Sequence, residues 1–150
     1  MVSSKFVIGL LLLIFFVHLF ATINFWYWTF RWFDIPMHFL GGFWVAMVFF
    51  WLIYPRFQIT NYQLPITIIL LLAFVALVGV LWEFFEFIFD LLFSRAGYTG
   101  ISRILGYGVK DLYIDTLKDL FMDLLGGLGF FFIQRFAAKA PKISYSSENR

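Results

Sequence analysis

Four long apolar runs, each able to cross a bilayer, leave this 150-residue chain little choice of fold. A spanning helix needs about 20 mostly apolar residues at a rise of about 1.5 Å each. A helix also satisfies its own backbone polar groups where no water can. Spans are expected at about 6–25, 35–54, 65–93 and 115–138. With 63% hydrophobic and 13% charged residues and a mean hydropathy of +0.90, the rest of the chain holds too little polar sequence for a soluble domain. The expected fold class is all-α: a polytopic membrane protein, a bundle of four transmembrane helices with a polar loop between the third and fourth. Residues 1–140 are expected as a single transmembrane domain and 141–150 as a polar, disordered tail.

Local signals set these bounds. The first run, from Phe6 to about Phe25, is too long for a secretory signal core and lacks a small-x-small cleavage site. The second ends in Tyr54-Pro55-Arg56, where proline and charge stop a helix, and the third opens at Pro65, a favoured first helical residue. Ser94 to Tyr113 carries four glycines with Arg95, Arg103, Lys110 and Asp111, and reads as a loop. Four spans put both termini on one side. Basic residues are nearly balanced between the two sides, and the acids and the aromatic segment opposite the termini favour a cytoplasmic placement of the termini.

Walking the spans alternately up and down brings the starts of spans two and four and the end of span three to one face. Asp34, Glu83, Glu86, Asp90, Asp111, Asp115, Asp119 and Asp123 all fall there, leaving Glu148 in the tail. Glu83, Glu86 and Asp90 are spaced i, i+3, i+7, and Asp115, Asp119 and Asp123 are spaced i, i+4, i+8, so each set forms a stripe on its helix. His38 joins them. Gly41, Gly42, Gly79, Gly126 and Gly127 lie deeper on the same faces, where small residues let membrane helices approach closely.

An ionised carboxylate at mid-bilayer costs about 2.5–3.5 kcal/mol on insertion scales, so a group of them needs protons, basic partners such as Arg31, Arg95 or Lys118, or a shared cation. The chain has no cysteine, which removes disulfides, thiolate chemistry and cysteine zinc sites. Any metal must use oxygen and imidazole, a donor set suited to Mg, Mn, Fe or Zn. The expected metal ligands are His38, Glu83, Glu86, Asp115 and Asp119. Glu83 and Glu86 are the candidate catalytic acid/base residues, and Asp34, Asp90 and Asp123 stand behind them as supports. The di-iron bundle pattern of two Glu-x-x-His pairs is absent.

Plainer readings exist for several of these residues. Asp34 before Ile35-Pro36 also fits a helix cap, and Thr116 to Asp119 a capping box. The acids also suit a structural ion-pair network. His18, alone in span one, reads as a buried interhelical hydrogen bond, and the segment Phe25-Trp26-Tyr27-Trp28 as an interfacial belt.

Asp34-Ile-Pro-Met-His38-Phe-Leu-Gly41, Trp82-Glu83-Phe-Phe-Glu86 and Asp115-Thr-Leu-Lys-Asp119-Leu followed by Gly126 and Gly127 resemble the YjdF-like bacterial membrane proteins and, more distantly, the VanZ-like family. That resemblance implies a small helical bundle in a bacterial cell membrane, with the VanZ-like branch linked to glycopeptide-antibiotic resistance, and it implies no particular reaction.

Three functions fit the residues. The leading one is an acidic/His pocket that binds a divalent metal ion and catalyses hydrolysis or transfer on a lipid-like substrate, with Arg95, Arg103 or Lys118 receiving an anionic head. A proton- or cation-coupled carrier is the second, and a non-catalytic membrane subunit docking a partner is the third. The expected partner is the lipid bilayer, with homo-oligomers allowed. A net charge of +2 does not favour nucleic acid.

Overall fold

The computed structural model describes residues 2–30, 32–56, 64–94 and 109–139, and all elements among them are helical. Helix α1 runs Ser4–Ile23, the Ser3 hydroxyl accepting from the Lys5 backbone N–H at its start. A short α2, Trp26–Thr29, follows a reversal at Phe25, whose φ of 59° places a non-glycine residue in the left-handed region. Helix α3, Asp34–Val48, continues through a π-helical turn, Phe49–Ile53, and a 3₁₀ turn, Tyr54–Arg56. It ends where Pro55 removes a backbone donor. Helices α4, Leu64–Ser94, and α5, Val109–Lys139, are each 31 residues long. At about 1.5 Å per residue each exceeds a hydrocarbon core of about 30 Å, so it must tilt or project.

Four helices are long and apolar enough to cross a membrane, over Ser4–Ile23, Asp34–Ile53, Leu64–Phe89 and Tyr113–Ala137. The last helix differs most from expectation, beginning six residues before Asp115. Nothing in Val109–Ile114 breaks a helix, neither glycine nor proline, so the polar side chains there extend the helix instead of ending it. Thr116 and Asp119 consequently lie well inside α5, and the capping-box reading does not hold. Asp34 likewise opens α3 as a helical residue, and no side chain caps that end. The expected loop at 95–108 and the tail at 141–150 lie outside the described residues.

The closest helix pair is α3 with α5. A Cβ added at Gly42 would strike the Asp123 backbone carbonyl, and one at Gly126 would strike the Phe39 carbonyl. The two backbones meet at this crossing. Helix α4 closes against the same place: a Cβ on Gly127 would lie 3.0 Å from Val75 Cγ2, and one on Gly79 would lie 2.6 Å from Asp123 Oδ2. Beyond the crossing, Val45, Ala46, Phe49, Leu71, Val75, Phe130 and Phe131 form the buried core. Phe130 packs edge-on against Phe43, with ring centroids 5.1 Å apart.

Helix α1 lies outside this trio. Its described buried residues are Val7 and Ala21. Near its start the Trp44 indole N–H donates to the Val7 carbonyl at 2.9 Å. The outward side chains, Phe6, Leu13, Phe16 and Phe20 among them, are exposed apolar surface that suits hydrocarbon as solvent.

Gly42→Ala and Gly126→Ala are each expected to destabilise the protein by about 1–3 kcal/mol or more, because a backbone must move to admit the methyl group. Gly9→Ala, where nothing lies within 4 Å of the new carbon, is expected to be neutral or mildly stabilising. Unfolding midpoints in detergent of these three variants check the contrast.

Candidate metal centre

His38 sits one turn into α3, 6% exposed, with a carboxylate facing each ring nitrogen. On one side Asp34 Oδ1, four residues earlier on the same helix, is 3.6 Å from Nε2. On the other, Asp123 Oδ1 of α5 is 3.5 Å from Nδ1. The glycine crossing makes the second approach possible, since the Asp123 side chain lies over the bare backbones of Gly41 and Gly79. One helical turn from Asp123, Asp119 is 5% exposed, and Glu83 and Glu86 come from α4, half-buried.

Two sets of side chains converge tightly enough to share a cation. Asp34, His38 and Asp119 form one, and His38, Glu83 and Glu86 the other, each with ligand atoms within 4.8 Å of one another. His38 belongs to both. Ligands around a small divalent ion at about 2.0–2.2 Å lie about 3 Å apart, so side-chain shifts of about 1–2 Å would close either set. The Trp82 indole N–H donates to Glu86 Oε1 at 2.9 Å and orients that carboxylate.

The chemistry of the donors fits a cation. Asp34, Glu83, Glu86, Asp119 and Asp123 surround a single imidazole, and among the described residues no lysine or arginine makes a salt bridge to them. Lys118 is exposed, while Arg31, Arg95 and Arg103 lie outside the described residues. Thr116 bonds to Glu83, yet Glu83 Oε1 is buried without a hydrogen-bond partner. A buried, unpaired carboxylate oxygen is costly unless something binds it.

Of the expected ligands, His38 lies with Glu83 and Glu86 in one set and with Asp119 in the other. Asp115 stands one turn outward on α5, exposed, and belongs to neither set. Asp34, expected as a support or a cap, places a carboxylate oxygen within 4.8 Å of the candidate ligand atoms of His38 and Asp119. Asp123 has the geometry of a supporting residue, facing the ring nitrogen that Asp34 does not. The side chain of Asp90 lies outside the described residues.

Tyr27, a belt residue by its sequence surroundings, has a specific partner. Its hydroxyl shares a 2.7 Å hydrogen bond with His18 Nδ1, so the partner of His18 is the segment just after its own helix and not another spanning helix. The left-handed turn at Phe25 folds α2 back to make this contact. The Trp82 ring meets His18 edge-on with centroids 6.1 Å apart, tying the pair to α4. Burial pushes the Tyr27 hydroxyl pKa well above its usual value, and the negative charges of Asp34 and Glu86 push it further. A nine-residue gap between histidine and tyrosine across a turn carries no periodic signal, and the neighbouring tryptophans masked Tyr27 as one more belt residue.

Residues 2–139 match the family described as "Predicted membrane protein (DUF2238)". The match covers more than half of the chain, and the protein belongs to that family. Comparison with curated proteins gives no match, and comparison with solved structures gives none.

Because its folded pKa is raised, Tyr27 contributes stability that is fully present below the ordinary tyrosine value of about 10 and is lost as pH rises through the folded value. An absorbance titration of folded protein should show Tyr27 ionising later than an unperturbed tyrosine. Tyr27→Phe should remove amplitude from the late, alkaline part of the curve and leave the early part unchanged.

Proposed function

We propose that this DUF2238 protein binds one or two divalent cations at His38 and its surrounding carboxylates, near one face of the membrane, and uses them in hydrolysis or transfer at an ester or phosphoryl group of a lipid-like substrate. The carrying observation is the shared position of His38 in two ligand sets, each with atoms within 4.8 Å. Mg, Mn, Fe and Zn all suit these oxygen and imidazole donors.

The residues divide the work as follows. His38 Nε2, beside Asp34, would hold the cation, and Nδ1, facing Asp123, would carry the proton that fixes the tautomer and the ring orientation. Asp34 and Asp119 complete one set, and Glu83 and Glu86 the other. A cation held there would supply Lewis acidity and lower the pKa of a bound water. Of the two α4 carboxylates, Trp82 holds Glu86, and Glu83, whose Oε1 has no partner, would act as general base when the cation sits in the Asp34–His38–Asp119 set. Asp115, exposed one turn away, strengthens the negative field at Asp34 and Asp119 without ligating.

A continuous carrier pathway is less well supported. The carboxylates lie at one end of the bundle, and the buried core beyond them is apolar apart from Thr67. The setting that fits this reading is a bacterial cell membrane with both termini cytoplasmic, in line with the YjdF-like and VanZ-like resemblance of the three motifs.

Metal binding is tested directly. Purified protein at a Mn²⁺ or Zn²⁺ concentration 100 times its dissociation constant should gain about 2.7 kcal/mol of stability. Asp119→Asn and His38→Ala should abolish most of that gain, and Asp115→Asn should retain it. Without metal, Glu83→Gln should unfold at a higher temperature than the parent, because one of several crowded carboxylates loses its charge, and added metal should narrow or reverse the difference. Absence of stoichiometric metal, together with no metal-induced shift in the parent, would sink the reading.

A further inference from the structure

Helix α1 touches the rest of the bundle at two levels and stands away from it between them. Near its start, Val7 is buried and held by Trp44. Near its end, Ala21 is fully buried and His18 is held by Tyr27 and Trp82. Between these two clamps a cavity of about 250 Å³ separates α1 from α3 and α4. Leu11 and Ile14 form its outer wall, Val45 and Val78 part of its inner wall, and Gly41 and Gly79 deepen it by having no side chain. One end is polar: Asp34, His38, Glu86 and Asp123, with His18 and Tyr27, border the same space. The candidate metal centre therefore opens into an apolar chamber.

We propose that this chamber seats one hydrocarbon chain of a membrane amphiphile, with the polar head at the Asp34–His38–Glu86 end. Only the role given to the head rests on the metal reading above; the chain seat stands on the cavity itself.

Physical chemistry narrows the occupant. A buried water needs two to four polar partners, and the Leu11, Ile14, Val45 and Val78 walls supply none. A partner helix is about 10 Å across, so even one or two turns of it occupy several hundred cubic ångströms and do not fit. A hydrocarbon chain is thin, apolar and abundant on the far side of α1, where Leu12, Leu13 and Phe16 are exposed. From Leu11 to His18 the chamber follows α1 for about 10 Å, a length over which an extended chain can lie alongside the helix. Polarity at one end and not along the walls sets the direction: head toward the carboxylates, tail toward Val7. Because the head end is anionic, a phosphate head requires the cation that the carboxylates are suited to hold. On the metal reading the head is a phosphate or phosphoester; on the cavity alone the ligand is a membrane amphiphile read by one chain.

The test uses the full chain in vesicles of phosphatidylethanolamine and phosphatidylglycerol, the latter carrying a diazirine midway along one acyl chain. After illumination, adducts mapped by mass spectrometry are expected on Ile14 or Val78 in addition to the outward residues Leu12, Leu13 and Phe16. Val78→Trp fills the chamber and should reduce the inner adducts about tenfold while leaving the outward ones unchanged. Ile14→Trp fills it from the loosely packed α1 side and repeats the test if Val78→Trp does not fold. Inner adducts that persist in a folded filling variant, or their absence in the parent, overturn the chain seat. Mn²⁺ binding measured on the same samples separates the two ideas. Metal binding without inner adducts removes the chain seat alone, and inner adducts without metal binding remove the metal reading alone.

Discussion

The contact between the backbones of α3 and α5 at Gly42 and Gly126 is the constraint on which the rest of the bundle depends. Side chains there would push the helices apart, and Asp123 could not then reach the imidazole of His38. Gly79 and Gly127 let α4 close on the same crossing, bringing Glu83 and Glu86 toward the same histidine. In a membrane, where apolar burial between helices gains little over lipid, close van der Waals packing between small residues carries much of the association. The glycines thus organise both the fold and the polar site.

That site is electrostatically one-sided. Five carboxylates meet one imidazole in a place where charge is expensive, and the hydrogen bonds from Trp82 and Thr116 satisfy them only in part. A divalent cation would offset the charge of several carboxylates together, whereas one surface lysine would offset one. The apolar chamber beside α1 then gives the site a neighbour of opposite character. Carboxylates at one end and hydrocarbon along the walls are a pairing suited to a molecule that is itself polar at one end.

Tyr27 and Asp34 illustrate how local patterns mislead where a side chain's main contact is made in three dimensions. Asp34 precedes Ile-Pro at a helix start and resembles a cap, yet its oxygen lies near His38 one turn on, and no side chain caps the helix. Tyr27 sits among tryptophans and resembles a belt residue, yet a left-handed turn at Phe25 directs its hydroxyl to His18. In both cases local sequence chemistry was outweighed by a contact made in three dimensions. The start of α5 erred in the other direction: a polar composition suggested a loop, but without glycine or proline after Gly108 the helix runs back to Val109.

The sequence by itself determined the four spans, the gathering of acids near one face and the stripes that carry Glu83, Glu86, Asp119 and Asp123, because apolar run length and helical period are properties of the chain read in order. It also marked the small residues through which the helices would meet. Only the tertiary structure decided that His38 stands between Asp34 and Asp123, that Asp115 lies outside both ligand sets, and that α1 leaves a chamber leading to the carboxylates. Those outcomes depend on the rotation and separation of helices about one another. Rotation and separation are set by which glycine meets which backbone, and periodicity within a single helix does not specify that pairing.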